Sequence, residues 1–115
     1  PHMITHRVEH NRRRLPMHVH VCESRIERGR GLLFRRCPDQ RTAYLLRHCS
    51  AIHTVGMLYA IDIVFCDATG RIMKIVRGLR PFRMARHAGS CQVWELAAGV
   101  SAKWGWRVGD EIGPC

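Results

Sequence analysis

Ile61-Asp62-Ile63-Val64-Phe65-Cys66-Asp67-Ala68-Thr69-Gly70-Arg71-Ile72-Met73-Lys74-Ile75-Val76 decides the fold. Its first six residues, preceded by Tyr59 and Ala60, are rich in Ile, Val and aromatic side chains, the composition of a strand. Its last six alternate apolar with polar, the period of a strand that buries one face. Between them Asp67 can hydrogen-bond the backbone just ahead of it and Gly70 can adopt a positive φ, so residues 67–70 read as a hairpin turn. The stretch also carries one acid among apolar neighbours. Alternation puts Ile61, Ile63 and Phe65 on one face and Asp62 with Val64 on the other. Burying an unpaired carboxylate costs several kcal/mol, so Asp62 is expected to be partly buried and bridged by Arg30, Arg35 or His53. Arg35 is the first choice, because a guanidinium fork satisfies both carboxylate oxygens.

Working outward, Met17–Cys22 alternates like a half-buried strand, and Thr42–Leu46 and Cys91–Leu96 read as two more. Ser24-Arg25-Ile26-Glu27 is a capping box that predicts a short helix from Arg25 to about Phe34. Gly99–Trp104 predicts a second helical turn. Leu79-Arg80-Pro81-Phe82 is a connection, since Pro81 cannot donate within a central strand. The pattern is mainly β (β-rich α+β): an antiparallel sandwich or barrel-like domain with one or two short helices. One core suits 115 residues, and residues 17–115 are expected to form one domain. Pro1-His2 reads as a cloning remnant ahead of a start at Met3. Residues 3–16, with His6, His10 and Arg12-Arg13-Arg14, look too polar to pack and are expected to form a flexible basic arm.

The formal net charge is +10, and 17 of the 19 basic residues are arginine. Such a balance permits attraction to nucleic acid or to an acidic partner. No aromatic-interleaved basic helix, helix-turn-helix or ribonucleoprotein-type strand accompanies it, so only weak, non-specific nucleic-acid contact through Arg12, Arg13 and Arg14 is expected. No apolar run approaches the roughly 20 residues of a membrane span, and Met3–Arg14 lacks the apolar core of a signal peptide. A cytoplasmic protein is the expectation. Its six cysteines, Cys22, Cys37, Cys49, Cys66, Cys91 and Cys115, include no Cys-x-x-Cys pair and are expected to be free thiols.

Several landmarks occur in order: Gly31-Leu32-Leu33-Phe34-Arg35, Ile52-His53-Thr54 with Met57, Ile61-Asp62-Ile63-Val64-Phe65, Asp67 with Gly70, Glu95-Leu96-Ala97-Ala98-Gly99, and Gly109-Asp110. Over residues 17–113 the chain resembles the domain-of-unknown-function 192 family. The resemblance implies a compact β-sandwich or barrel-like domain with minor helices, and it transfers no established catalytic residue. Some members are encoded near pilus or secretion genes, so it also suggests a secretion or pilus setting. Where members often carry Arg-Phe-Pro or Lys-Asn-Thr, this chain has Leu58-Tyr59-Ala60, a less polar rim if that segment borders a binding surface.

Three constellations could carry chemistry. His18, His20 and Cys22 share one strand face, but successive residues there lie about 6.6 Å apart and the outer two about 13 Å. Zn–N and Zn–S bonds of about 2.0–2.3 Å cannot gather all three, so no metal or other cofactor is expected; His48, Cys49 and His53 pose the same question in a less regular segment. Cys49 or Cys66 could serve as a nucleophile with His53 as base and Asp62 as orienter, yet the apolar flanks of Cys66 raise a thiol pKa. Asp62 and Glu95 could act as an acid pair, although a structural Asp62–Arg35 or Glu95–arginine bridge is the preferred explanation of the same residues. Trp94, Trp104 and Trp106 read as core or lid residues. The expectation is a non-enzymatic binding or assembly module. Its polar cleft would comprise Arg35, His53, Thr54, Met57, Asp62 and Glu95, with no catalytic residue and an unknown protein or small-molecule partner. The alternative is a hydrolase or metal-dependent enzyme using the same cleft.

Overall fold

A computed structural model describes residues 4–22, 38–54 and 57–115. Among the described residues the strands in chain order are β1 (Ile4–His10), β2 (Arg13–Cys22), β3 (Thr42–Arg47), β4 (Ala51–His53), β5 (Ile61–Cys66), β6 (Ile72–Leu79), β7 (Met84–Arg86), β8 (Gln92–Ala97) and β9 (Ile112–Pro114), with a short helix, α1 (Val100–Lys103), before β9. The β5–β6 hairpin forms as its turn chemistry demands. Asp67 Oδ1 accepts from the Thr69 hydroxyl at 2.6 Å and from the backbone N–H groups of Thr69 and Arg71 at 2.9 and 3.0 Å. The Thr69 hydroxyl and these amides hold the Asp67 carboxyl below its usual range.

Seven strands make one sheet in the order β6-β5-β8-β3-β2-β1-β9, and β4 pairs with β7 in a separate ribbon. The large sheet is mixed. Its pairs are antiparallel except β2 with β3, which run parallel. That departs from the all-antiparallel expectation, and residues 23–41 supply the dozen or more residues a parallel crossover needs. The two edges then meet. Arg71 bridges Glu111, Ile72 N–H donates to the Asp110 carbonyl at 2.8 Å, Gly109 N–H to Ile72 at 2.9 Å, and Ile112 N–H to Gly70 at 2.9 Å. The sheet therefore closes into a barrel, which removes exposed edges. Gly70 sits on this seam with φ 89°, where a Cβ would overlap the Ile112 carbonyl oxygen.

Closure creates two apolar regions. Inside the barrel, Met17, Val19, Leu45, Val64, Leu96 and Val100 pack around Trp94 and Trp106, whose rings meet edge to face at 6.1 Å. Outside it, Leu46, Met57, Ile61, Ile63, Phe65 and Val93 form a second cluster beneath the β4–β7 ribbon, which turns Ile52 and Ala85 onto them. Each such side chain contributes roughly 1.5–3 kcal/mol by leaving water.

Residues 4–16 are not a flexible arm. They form most of the β1–β2 hairpin, through a two-residue turn in which Asn11 and Arg12 both take positive φ, 48° and 69°. β1 is paired on both sides, by β2 and by β9, and Val8 is wholly buried. Its polar residues have partners as well: Thr5 Oγ1 meets His20 Nδ1 at 3.0 Å, Arg7 donates to the Leu15 carbonyl, and His10 Nε2 lies 2.8 Å from Asp110 Oδ2. Ladder bonds on two edges and these contacts offset the ordering entropy that composition alone suggested was too high. Pro16 is tolerated because the β1–β2 register shifts beside it, from Arg7↔His18 to Val8↔Leu15. The expected helix over 25–34 and the landmark at 31–35 lie outside the described residues.

Among the described residues no helix is long and apolar enough to cross a membrane. Cys22, Cys49, Cys66, Cys91 and Cys115 are free thiols, and Cys37 lies outside the described residues.

Candidate functional site

The sheet divides the expected cleft. Asp62 stands opposite Leu96 and points into the barrel, whereas Glu95 stands opposite Tyr44 and Ile63 and points out. Both are buried, at 0% and 1% exposure, on opposite faces. They do not converge as an acid pair. Arg35, the arginine chosen for Asp62, lies outside the described residues. What surrounds Asp62 is a set of backbone amides: Oδ1 accepts from Gly78 N–H at 2.9 Å, and Oδ2 from Gly99 N–H at 3.2 Å, Ser101 N–H at 3.1 Å and the Ser101 hydroxyl at 2.7 Å. Arg77 reaches this group indirectly, donating to Ser101 Oγ at 3.2 Å and to the Trp106 carbonyl at 2.9 Å. One side chain thus ties the irregular end of β6 to the first turn of α1 and closes that end of the barrel. The carboxylate accepts four hydrogen bonds, which compensates its loss of water.

The nucleophile arrangement does not assemble either. Cys66 is buried, and loss of water with the neighbouring Asp67 charge pushes its thiol up to about 12. On β2, His18 is exposed and His20 stacks on Tyr44 at 5.2 Å, while Cys22 is buried. No three His, Cys, Asp or Glu side chains gather around one point among the described residues.

His53, Thr54 and Met57 do come together. Thr54 is wholly buried and organises the loop between β6 and β7: its hydroxyl donates to the Arg80 carbonyl at 2.7 Å and accepts from Arg83 N–H at 2.8 Å. Its backbone N–H donates to the Arg83 carbonyl at 2.8 Å, and its own carbonyl accepts from Met57 and Phe82. Met57 packs inward on the outer cluster. This clasp forces the neighbours outward. Leu58 follows Met57 and is 89% exposed; Phe82, held at φ 60°, is 61% exposed; and Met84, cross-strand from His53, is 68% exposed. Large apolar side chains grouped on a surface mark an interaction site.

The charge around them is of one sign. Arg71, Lys74, Arg77, Arg80, Arg83 and Arg86 recur every third residue, and no acid lies between Asp67 and Glu95 or between Asp39 and Asp62. Arg80, Arg83 and Arg86 border the apolar group. Among the described residues the ion pairs are His10–Asp110 and Arg71–Glu111, both at the barrel seam, and neither involves Arg80, Arg83 or Arg86. The sequence reading missed this group because it sought converging polar side chains. The three-residue arginine spacing, with Leu58 in place of a polar residue, was the available signal.

A profile of the family described as uncharacterized ACR, DUF192, matches residues 6–113. The chain belongs to DUF192. Membership extends over the β1–β2 hairpin as well as the segments that carried the resemblance. None of the curated proteins matches this chain. Two solved structures share the fold. One, from Sinorhizobium meliloti 1021 and described as a "putative transcription regulator", is 20% identical with a TM-score of 0.86 over 97% of this chain and 95% of its own. The other, from Novosphingobium aromaticivorans DSM 12444 and of unknown function, is 19% identical with a TM-score of 0.81 over 96% of this chain and 84% of its own. At these identities the fold alone is what is shared.

Proposed function

We propose that this DUF192 chain is a non-enzymatic binding or assembly module whose docking face is the apolar group Leu58, Phe82 and Met84 with Arg80, Arg83 and Arg86 around it. The single observation that carries the reading is this juxtaposition of exposed apolar side chains, on and beside a loop pinned by Thr54, with arginines that form no ion pair among the described residues. The partner it suits is a protein segment that is acidic and carries apolar anchors, because charge complementarity sets orientation and apolar burial supplies affinity. Of the expected cleft residues, His53, Thr54 and Met57 belong to this face or support it, and Glu95 lies on the same side of the sheet. A hydrolase would need Asp62 and Glu95 in one cavity, and the sheet runs between them. Docking of this kind is what an assembly component of a secretion or pilus system requires.

The test is a photo-crosslinking amino acid placed at Met84 or at Val108, the latter exposed beyond α1, in cells of the source organism. A discrete adduct from position 84 alone, mapped to an acid-rich segment, supports the reading. Adducts from position 108 alone, or from 84 only to nucleic acid, overturn it.

A further inference from the structure

The seven-stranded sheet closes on itself, so among the described residues the open strand edges are those of the β4–β7 ribbon. Thr54 N–H donates to the Arg83 carbonyl at 2.8 Å at one end of this ribbon, and His87 N–H to the Ser50 carbonyl at 3.0 Å at the other. Hydrogen-bonded and non-hydrogen-bonded pairs alternate along an antiparallel ladder. Ile52 and Ala85, midway between those two pairs, therefore turn their backbone groups toward each other, whereas Ala51 and His53 turn theirs away from β7. Ala51 and His53 are exposed, and their N–H groups and the His53 carbonyl have no hydrogen-bond partner among the described residues. The Ala51 carbonyl meets only the Cys49 thiol, with Sγ at 3.0 Å. Such an exposed row of backbone groups is a template for another strand, and proteins ordinarily guard it with Lys or Pro. The opposite edge of the ribbon is guarded in this way: Lys74 Nζ donates to the Arg86 carbonyl at 3.3 Å. β4, Ala51-Ile52-His53, carries neither guard.

We infer that the docking face, on the reading proposed above, takes its partner as an added strand: an extended segment of alternating acidic and apolar residues pairs antiparallel with the open edge of β4. The acidic residues stand opposite Ala51 and His53 and exchange N–H and C=O bonds with them. Their side chains then lie on the exposed face that carries Arg86 and Met84, the cross-strand neighbours of Ala51 and His53. The methyl of Ala51 leaves the Arg86 guanidinium room to extend toward such a carboxylate. The apolar residues between them point the other way, beside the half-buried Ile52, and extend the cover of the outer apolar cluster. Charge selects this occupant over a second copy of the chain. With a net charge of +10, and no acid from residue 40 to 61 or from 68 to 94, two β4 edges would bring like charges together.

The test titrates the full chain with the synthetic peptide acetyl-Glu-Val-Glu-Val-Glu-Val-Glu-amide, followed by calorimetry and by amide exchange in NMR spectra. The peptide should bind, and the amides of Ala51 and His53 should become protected while that of Met84 keeps its exchange rate. N-methylation of the glutamate amides, which removes the donors facing β4, should abolish binding. N-methylation of the valine amides, on the far edge of the added strand, should leave it unchanged. His53→Pro, tolerated because that N–H faces away from β7, should weaken binding about five- to tenfold, the worth of one hydrogen bond; the two methylated peptides decide the matter if that variant folds poorly. A peptide that does not bind, binding that leaves Ala51 and His53 unprotected, or equal binding of the two methylated peptides overturns the added strand. If Arg80→Gln/Arg83→Gln/Arg86→Gln still weakens such binding, the docking face itself stands, and if it does not, that reading falls too. Protection of the same amides in a dimer of the chain without peptide gives the edge to a second copy and overturns the proposal.

Discussion

Replacing Asp62 by Asn preserves the shape of the side chain and turns one acceptor into a donor. The four bonds at Asp62 make the consequence calculable. If the new amide nitrogen takes the Oδ2 position, it faces the N–H groups of Gly99 and Ser101 and leaves two backbone donors without an acceptor. If it takes the Oδ1 position, only Gly78 N–H is orphaned, together with the buried amide itself. The second arrangement is the cheaper. An orphaned buried donor costs about 1–3 kcal/mol, and the three remaining bonds each weaken on losing their ionic acceptor. Asp62→Asn should therefore destabilise the protein by about 2–4 kcal/mol, a large part of the stability of a small domain. Equilibrium urea unfolding followed by tryptophan fluorescence measures it, since Trp94 and Trp106 are fully buried. Ser101→Ala, which removes only the hydroxyl, should cost about 1 kcal/mol. An Asp62→Asn protein as stable as its parent would refute the reasoning and leave the carboxylate free for a functional role.

Gly70→Ala should destabilise by about 2–4 kcal/mol, because a positive φ alone costs a non-glycine residue about 1–2 kcal/mol and the added Cβ also overlaps Ile112 at the seam; a melting temperature within a degree of the parent's would count against barrel closure at this point. Thr54→Val should loosen the 80–83 loop at a cost of about 1–2 kcal/mol, and faster amide exchange at Phe82 and Arg83 is the expected readout. The Asp110 carboxyl is held below its usual range chiefly by the His10 imidazole, Asp67 by Thr69, and Asp39 by the Arg41 amide. Groups depressed in the folded state add stability that is complete above their unfolded pKa of about 3.9 and lost as pH falls through the folded values. The urea midpoint should thus be flat above about pH 5 and fall below about pH 4, and Asp110→Asn should shallow that fall. An unchanged acid limb in Asp110→Asn would remove the seam from the explanation.

Strand composition and a strong turn made the β5–β6 hairpin readable and period-two alternation the inner half of β2, and the face assignment at Asp62 and Val64 follows from strand geometry. Most partners of Asp62 were not readable, because three of its four donors are backbone N–H groups, which carry no sequence label; only the Ser101 hydroxyl is a side chain. β1 was hidden for a related reason: its stability comes from ladder bonds to β2 and β9, and β9 lies about a hundred positions away in the chain. Parity separates two of the expected cleft residues. Asp62 and Glu95 are both acids on neighbouring strands, but the pairing of Ile63 with Glu95 sends them to opposite faces. Leu58, Phe82 and Met84 escaped notice because scattered apolar residues in loops look like core until a clasp such as Thr54 turns them out.

The most direct test of the docking face is the affinity of the crosslinked acidic segment for two triple variants, measured by fluorescence anisotropy. Arg80→Gln/Arg83→Gln/Arg86→Gln should weaken binding by about tenfold or more, with a shallower salt dependence, at a few tenths to about 1 kcal/mol per charge. Arg12→Gln/Arg13→Gln/Arg14→Gln, at the far hairpin of the barrel, should bind like the parent. The opposite pattern, with loss confined to the Arg12–Arg14 variant, would contradict the account and move the partner to the β1–β2 turn.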